Sequence, residues 1–419
     1  MFIGLDDTDS LKGGCTTYLA ALLCRELGTT KNPKLIRLNP NIPYKTRGNG
    51  AVAIEVDGNP ARIKEVALNL VKEHAHTKDK RTNPGVAFID NLNSKNKKSL
   101  NEFYQRAVSE LVTIEEAEET AAKTNAEIHK FNNGRGIIGA LAAIGAGLDD
   151  RTYELIAYRK KENCGKPKGI DEDSVFAMHE RLHPQVFNSI DPETGQILIT
   201  PHGYDPVFCG IRGESPEAVL EAWKSIKPLE EIEFIQIFET NQGTDAHLRE
   251  NKISELKPYD CAILEGAVAS NSRTIEGGHV FFSIADGTGE IDCAAYEPTG
   301  RFREITRKLL TGDRIRAHGG IGRYINTLNL EKIEILELIK AHKKESPACC
   351  GRTMTSAGKD KGFKCRKCGK RKDSNSAVIQ EIPRGLKDGF YEAPPRAMRH
   401  LSKPIIRAQQ RISTDKTDM

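Results

Sequence analysis

The residues best placed to do chemistry stand near the start of the chain, in the segment Ile3 to Tyr18, IGLDDTDSLKGGCTTY. Three carboxylates, Asp6, Asp7 and Asp9, follow a short apolar run, and Gly13–Gly14 lead into a helical pattern that opens near Thr16 and Thr17. Carboxylates at the end of a strand are hard oxygen ligands, suited to a Mg²⁺ ion that keeps some of its waters while holding phosphates. Crowded together without a cation, they repel one another. Glycines before a helix N-terminus let backbone N–H groups approach an anion, and the helix dipole favours negative charge there. Metal ligands beside a phosphate cradle point to nucleotide chemistry, with Asp6, Asp7 and Asp9 as the catalytic metal-ligand candidates and Gly13, Gly14, Thr16 and Thr17 at the cofactor's phosphates. It is not a Walker loop, because no Lys-Ser or Lys-Thr follows the glycines. The plainer reading is that Asp7 and Asp9 stabilise a turn and Thr16 caps a helix.

Three further polar constellations accompany it. The loop NPNIPYKTRGN carries Lys45 and Arg47 between glycines, either to neutralise a triphosphate or RNA backbone or simply as a solvated hairpin loop. Phe131–Leu141, FNNGRGIIGAL, places Asn133 and Arg135 before an apolar helix, as an anion or nucleobase site or as a cap with glycine turns. Phe238–Leu248, FETNQGTDAHL, gathers Glu239, Asn241, Asp245 and His247 after a strand, which suggests a pocket wall.

Near the C-terminal end, Cys365-Arg-Lys-Cys368-Gly is a CxxC knuckle, preceded by Cys349 and Cys350 at the spacing of a zinc ribbon. Adjacent cysteines rarely both reach one tetrahedral ion, so four-thiolate closure stays open from spacing alone.

These groups need elements to position them. The first hundred residues alternate strand and helix signals: strands at Met1–Leu5, Leu35–Leu38, Ala51–Val56 and Val86–Ile89, helices at Thr16–Leu27, Ala61–His74 and Lys97–Leu111. A second unit interleaves helices with a few strands, as in a ferredoxin-like sandwich. From about Leu256 five short strands with glycine-rich turns, and a helix at Phe302–Leu310 between the third and fourth, read as an OB-fold barrel. Phe281, Phe282 and Tyr296 are candidate stacking platforms for bases there, though strand alternation must turn some of them inward. The expected class is therefore multidomain α+β: an α/β domain (1–112), a ferredoxin-like domain (113–252), an OB-fold β-barrel (253–340), a zinc ribbon (341–372) and a basic C-terminal tail (373–419).

Composition narrows the partner. The formal net charge of +4 divides unevenly: residues 341–419 hold 19 Lys/Arg against 8 Asp/Glu, a net +11, which leaves −7 on residues 1–340. A basic end on an acidic body suggests a polyanion gripped at one end. The longest apolar stretch, Gly136–Leu148, is 13 residues, against the roughly 20 that a membrane span needs. With no basic n-region before the first apolar residues, a cytoplasmic protein without membrane contact is expected.

Taken together, MFIGLDDTDS with GGCTTYLA, NPNIPYKTRGN, FNNGRGIIGAL, GGHVFFSIADGTGEIDCAAYEPT and the tail motif RHLSKP make the chain resemble the archaeal synthetases that build 2-agmatinylcytidine in an isoleucine-tRNA anticodon. The resemblance implies an ATP-dependent ligase that phosphorylates C2 of the wobble cytidine and lets agmatine displace the activated oxygen, releasing AMP and phosphate. It implies a kinase-like first domain, Mg²⁺ and ATP ligands at Asp6, Asp7 and Asp9, and an autophosphorylated threonine at Thr16. Its partners are isoleucine tRNA with a CAU anticodon and agmatine, with no obligate protein partner, and the barrel, ribbon and tail grip the tRNA. Agmatine is a dication, so its pocket should be acidic; Glu239 and Asp245 are the candidates for that wall. One departure from the family pattern stands out: the first CxxC of the ribbon is shortened to Cys349-Cys350. Two competing classes remain on the residues alone: a non-catalytic OB-fold and ribbon RNA-binding protein, and a metal-dependent nucleotide phosphotransferase.

Overall fold

In the computed structural model, the described residues are all except 11–12, 46–47, 202, 204, 359–360 and 410–419. Arg47 lies outside them.

The N-terminal run forms β1 (Phe2–Asp6), whose middle residues are buried on both faces, and then α1 (Thr16–Leu27). Gly28 closes α1 in the left-handed conformation, with its N–H returned to the carbonyls of Cys24 and Arg25. Next come β2 (Lys34–Arg37), β3 (Gly50–Glu55), α2 (Pro60–His74), β4 (Gly85–Ile89) and α3 (Ser94–Ser109). They are followed by α4 (Ile114–Thr124), β5 (Glu127–Lys130) and α5 (Ile137–Gly145). A capping box between Thr113 and Glu116 starts α4.

The second unit supplies β6 (Thr152–Arg159), α6 (Glu172–Leu182), β7 (Val186–Phe187), β8 (Val207–Gly213), α7 (Pro216–Ser225) and β9 (Ile232–Thr240). Its strands do not form a sheet of their own. A single nine-stranded sheet runs β5-β4-β1-β3-β2-β9-β6-β8-β7, joined at a parallel seam where Lys34 faces Glu239 and Leu35 faces Thr240. One apolar core crosses that seam, with Leu19, Ile54 and Phe88 from the first half and Ile156, Tyr158 and Phe238 from the second. The expected division at residue 112 also differs from the packing: α4, β5 and α5 belong to the first half, because β5 pairs with β4 and α5 lies against β1 and β3.

The contact between α5 and β1 is unusually close, and glycines permit it. A Cβ at Gly4 would lie 2.1 Å from the Ala140 carbonyl oxygen, and one at Gly139 would lie 2.0 Å from Asp6 Oδ2. Any side chain there would push the helix off the strand end that carries the carboxylates.

The barrel is built from β10 (Arg249–Glu250), β11 (Cys261–Val268), β12 (Arg273–Thr274), β13 (Val280–Ala285), β14 (Glu290–Ala295), α8 (Phe302–Arg307), β15 (Arg314–Ile321) and β16 (Thr327–Glu337). The order β11-β15-β16-β14-β13 closes through a β11–β13 pairing, which makes the expected five-stranded OB barrel. Strand alternation sends Phe282 into its core and leaves Phe281 half-buried, and Tyr296, just past β14, is exposed at the surface.

Beyond the barrel, β17 (Ala341–Glu345) pairs with β23 (Val378–Ile382) as a two-stranded stalk. It carries the short ribbon strands β18 (Ala348–Cys349), β19 (Arg352–Thr353), β20 (Thr355–Ser356), β21 (Phe363–Lys364) and β22 (Arg371–Lys372). The chain then returns: β24 (Gly389–Glu392) adds to β16, and residues 393–409 run back across the junction of barrel and sheet.

Over residues 393–409 this return differs from the expected basic tail extended towards RNA, whose last ten residues, 410–419, lie outside the described residues. Its cations are spent internally: Arg396 pairs with Asp191 and Glu193, Arg399 with Glu331, Lys403 with Asp150, and Arg407 with Asp150 and Glu214. Among the described residues, no helix is long and apolar enough to cross a membrane.

Candidate active site

The end of β1, the start of α1, the loop after β2 and the turn before α5 open onto one cavity of about 320 Å³. Asp6, Asp7, Asp9, Thr16, Thr17, Lys45 and Arg135 all line it, so seven sequence candidates from four separate segments meet there.

Asp7 sits at φ +54°, which turns the chain sharply after the strand, and its Oδ2 accepts from the Asn83 backbone N–H at 3.1 Å. Asp6 Oδ1 accepts from the Asp7 N–H at 2.7 Å. Burial pushes the Asp6 carboxyl well above the usual carboxylate range, and the Asp7 and Asp9 charges add to that. Burial likewise raises Asp7 to about 7, a rise only partly offset by the Asn83 hydrogen bond. Buried carboxyls that hold their protons this tightly form a cluster short of positive charge. A hard dication supplies that charge, so the donor set fits Mg²⁺.

Thr16 and Thr17 are both buried at the first turn of α1, where no acidic side chain competes for the helix N-terminus. Thr16 Oγ1 lies 3.0 Å from Thr8 Oγ1, and Thr17 Oγ1 lies 3.0 Å from Cys15 Sγ. Gly13 and Gly14 adopt positive φ and border His76 rather than the cavity: a Cβ on Gly14 would lie 2.9 Å from the imidazole. Lys45 curls back onto the Pro40 carbonyl, and Arg135 stacks on the Tyr44 ring at 3.8 Å. Asn133 shapes the turn by accepting from the Arg135 N–H at 3.0 Å, and it lines a neighbouring pocket with Asn83, Lys80 and Arg81.

The structure does not bring Glu239 or Asp245 to this cavity. Glu239 is on the seam strand, paired with Arg151 at 2.6 Å. Asp245 pairs with Lys332 of the barrel and accepts from the Lys403 N–H at 2.7 Å, and so holds the returning chain. Each sits where two parts of the fold join, and its charge is used there.

In their place the cavity contains charged residues that the sequence reading missed. Glu154, buried on β6, faces Arg212 at 3.3 Å and Arg37 at 3.6 Å, and it accepts from Gln242 Nε2 at 2.5 Å. Those partners more than offset the burial that would raise it, so Glu154 stays ionised. His400, from the returning chain, completes the wall. The available signal was a charge inside an apolar strand: Glu154 in TYELIAYR and Arg37 in KLIR. Asn241 explains the latter's placement, bracketing the Arg37 backbone with bonds of 2.8 and 2.9 Å.

At the far end of the molecule, the thiols of Cys349, Cys350, Cys365 and Cys368 all lie within 4.8 Å of one another. The Cys349–Cys350 and Cys349–Cys368 sulfur separations are 3.8 and 3.6 Å, close to the roughly 3.8 Å edge of a tetrahedral four-thiolate zinc site. The adjacent pair can converge because Cys350 takes φ +50° and Gly351 φ +74°. This left-handed corner swings both side chains to one side, and the four residues fit Zn²⁺.

A carboxylate-lined, phosphate-type cavity, with an OB barrel and a cysteine ribbon on the same chain, defines a nucleotide-using enzyme that acts on RNA. Comparison with known proteins narrows this class. Family models match residues 2–67 (TiaS TCKD domain), 134–247 (TiaS FLD domain), 262–336 (OB-fold nucleic acid binding domain) and 346–386 (TiaS C-terminal zinc ribbon domain). TiaS of Thermococcus sibiricus, an isoleucine-tRNA 2-agmatinylcytidine synthetase, is 47% identical, across 97% of this chain and 96% of that protein. The protein of the same name from Methanocaldococcus jannaschii is 45% identical, across 97% and 98%.

Among solved structures, the complex of TiaS with its isoleucine tRNA and ATP superposes with a TM-score of 0.88 at 42% identity, covering 97% of both chains. The complex of TiaS with the same tRNA, AMPCPP and agmatine gives 0.86 at 40%, covering 97% of this chain and 96% of that one. The chain belongs to the TiaS family of isoleucine-tRNA 2-agmatinylcytidine synthetases.

Proposed function

We propose that this protein uses ATP to join agmatine to C2 of the wobble cytidine in the CAU anticodon of an isoleucine tRNA, turning an AUG-reading anticodon into an AUA-reading one. The observation that carries the reading is the cavity itself: an aspartate cluster and a cationic wall facing each other within a chain similar to these synthetases from end to end.

A ring carbonyl oxygen is a poor leaving group until it is phosphorylated, so the first task of the site is phosphoryl transfer. Asp6, Asp7 and Asp9 would hold Mg²⁺, and the ion, when bound, neutralises the charge of the phosphoryl group in flight. The start of α1, with Thr16 and Thr17, lends N–H groups and hydroxyls to phosphate oxygens. Thr16, on the cavity wall and fixed by Thr8, is the position at which the protein itself would take a phosphoryl group. Lys45, Arg135, Arg37 and Arg212 supply the opposing positive charge, and the Tyr44 ring holds the Arg135 plane still. The narrow fit of α5 on β1 at Gly139 keeps Asp6 aimed into the cavity.

The barrel and ribbon would hold the tRNA body, and the four thiolates would hold zinc as a structural ion. A tRNA-modifying enzyme with this substrate acts in the cytoplasm.

Incorporation of radiolabelled agmatine into an unmodified isoleucine tRNA transcript tests the reading directly. Label is expected only with ATP and only when the wobble base is cytidine. Label without ATP, or none with tRNA bound, would overturn it. A chain that turned over ATP at full rate without tRNA would instead be the nucleotide phosphotransferase of the competing reading.

A further inference from the structure

The cavity is lined by residues up to Arg212 and by one residue from far downstream. His400 lies 188 positions after Arg212, yet its Nδ1 accepts from Arg212 Nη2 at 2.8 Å. Its other nitrogen faces Gly48, where a Cβ would sit 3.2 Å from Nε2. Accepting at Nδ1 fixes the tautomer, with the proton on Nε2. The imidazole is surrounded by Arg37, Arg212 and Lys45, and burial together with those cations holds it neutral.

Arg212 needs such a partner. Its guanidinium meets Glu154 through Nε alone, at 3.3 Å, so that carboxylate grips one edge of the fork. Glu154 is shared with Arg37 and Gln242, and a single edge contact leaves rotation about the guanidinium axis open. His400 catches the Nη2 edge and removes that freedom. Arg212 itself lines the cavity.

His400 is in turn held from both sides by the rest of the molecule. Its carbonyl accepts from the Gly243 N–H at 2.8 Å, and the next carbonyl, of Leu401, accepts from the Asp245 N–H at 2.8 Å. Arg399, one residue before it, reaches Glu331 of the barrel at 3.1 Å, and Ser402, two residues after it, donates to the same carboxylate. The position of the imidazole is thus set by the barrel strand β16 and by the polar segment after β9.

We infer that His400 is a positioning residue of the active site, which orients Arg212 towards the transferring phosphate through an acceptor at Nδ1 and ties that orientation to the seating of the barrel. The inference rests on the ligase reading given above.

Its test separates geometry from stability. An asparagine side chain at this position places an amide oxygen where Nδ1 lies, whereas a glutamine side chain places it nearer Nε2, so the two substitutions remove the same ring and differ in what they offer Arg212. Full-length His400→Asn, His400→Gln, Arg212→Met and the His400→Gln/Arg212→Met double variant are assayed for ATP-dependent agmatine incorporation beside wild type. The His400→Gln variant is expected to lower kcat at least about 20-fold with tRNA affinity within about two-fold, while His400→Asn recovers to within about three-fold of wild type. In the Arg212→Met background, His400→Gln should add less than about two-fold, because the group it acts through is gone.

Equal losses in the His400→Asn and His400→Gln variants, or a full additive loss in the double variant, would overturn the inference. Wild-type protein that incorporates no agmatine would instead overturn the ligase reading, so the two failures are distinct.

Discussion

Two clusters of buried charge dominate this molecule, and they are built on opposite plans. At the end of β1, Asp6, Asp7 and Asp9 crowd together so that burial and mutual repulsion drive Asp6 and Asp7 upward, Asp7 to about 7. At the junction of barrel and sheet, Glu331 is more fully buried than the half-buried aspartates, yet His247, Arg399 and Ser402 more than offset that burial and bring it down to about 2. In the first cluster the net effect of the surroundings is to disfavour charge, with Arg135 only the last of the groups that offset the rise of Asp7, whereas in the second the partners of Glu331 more than outweigh its burial. Net repulsion is kept where a cation is to be taken up, and opposite charges are paired where a joint must hold.

The comparison can be broken or sharpened by experiment, starting with the largest effect. Asp7→Asn keeps the shape of a residue that tolerates left-handed φ but removes the charge. Agmatine incorporation is expected to fall about a thousand-fold or more, while the melting temperature rises by a few degrees because a strained carboxylate has gone. An active variant, or one that melts lower, would show that the aspartate cluster is not poised for a cation.

Glu331→Gln attacks the paired cluster. A carboxylate held near 2 when folded and near 4.5 when unfolded stabilises the fold fully above about pH 4.5 and loses that contribution as pH falls towards 2. The variant should therefore be less stable by ~3 kcal/mol at pH 7, and the gap should close progressively in acid. A constant gap in denaturant melts across that range would assign the effect to packing instead.

The ribbon offers a third contrast, between charge facing out and charge turned in. Residues 346–377 hold nine Lys/Arg against two Asp, a net +7, whereas the cations of 393–407 are paired within the fold. Replacing 346–377 by a short turn between Glu345 and Val378, which face each other in the stalk, leaves the returning chain intact. Transfer RNA affinity is expected to fall about 10- to 100-fold, with a shallower dependence on salt. Unchanged binding would remove the ribbon from the tRNA interface.

The smallest effect concerns the metal. Elemental analysis should find about one zinc per chain, and its chelation should shift the main melting transition by less than about 2 °C, because the ribbon is a satellite on a two-stranded stalk. A large shift would mean that the ribbon supports the body.

The β1–aspartate–glycine–helix unit, the barrel strands and the CxxC knuckle were legible in the sequence because each is local. Apolar periodicity, turn residues and ligand spacing are properties of neighbours along the chain. They marked Asp6, Asp7, Asp9 and Thr16 as one site and Lys45 and Arg135 as separate anion-binding candidates, and the cavity unites them. Glu239 and Asp245 carried the same kind of polar signal, but it marked joints of the fold, which local composition does not distinguish from a pocket wall.

What only the tertiary structure decided involves pairs far apart in sequence. The seam between β2 and β9 merges two units into one sheet, and nothing in either strand announces its partner. Glu154 reads as an odd charge in an apolar strand until Arg37 and Arg212 close around it. The returning segment looks like a basic tail until its cations meet Asp150, Glu214 and Glu331. Vicinal cysteines look unable to share an ion until the backbone turns at Cys350. Pairing of opposite charges across space leaves no periodic trace in the chain, so the sequence alone determined which chemistry the protein carries, and the folded molecule decided which residues are free to perform it.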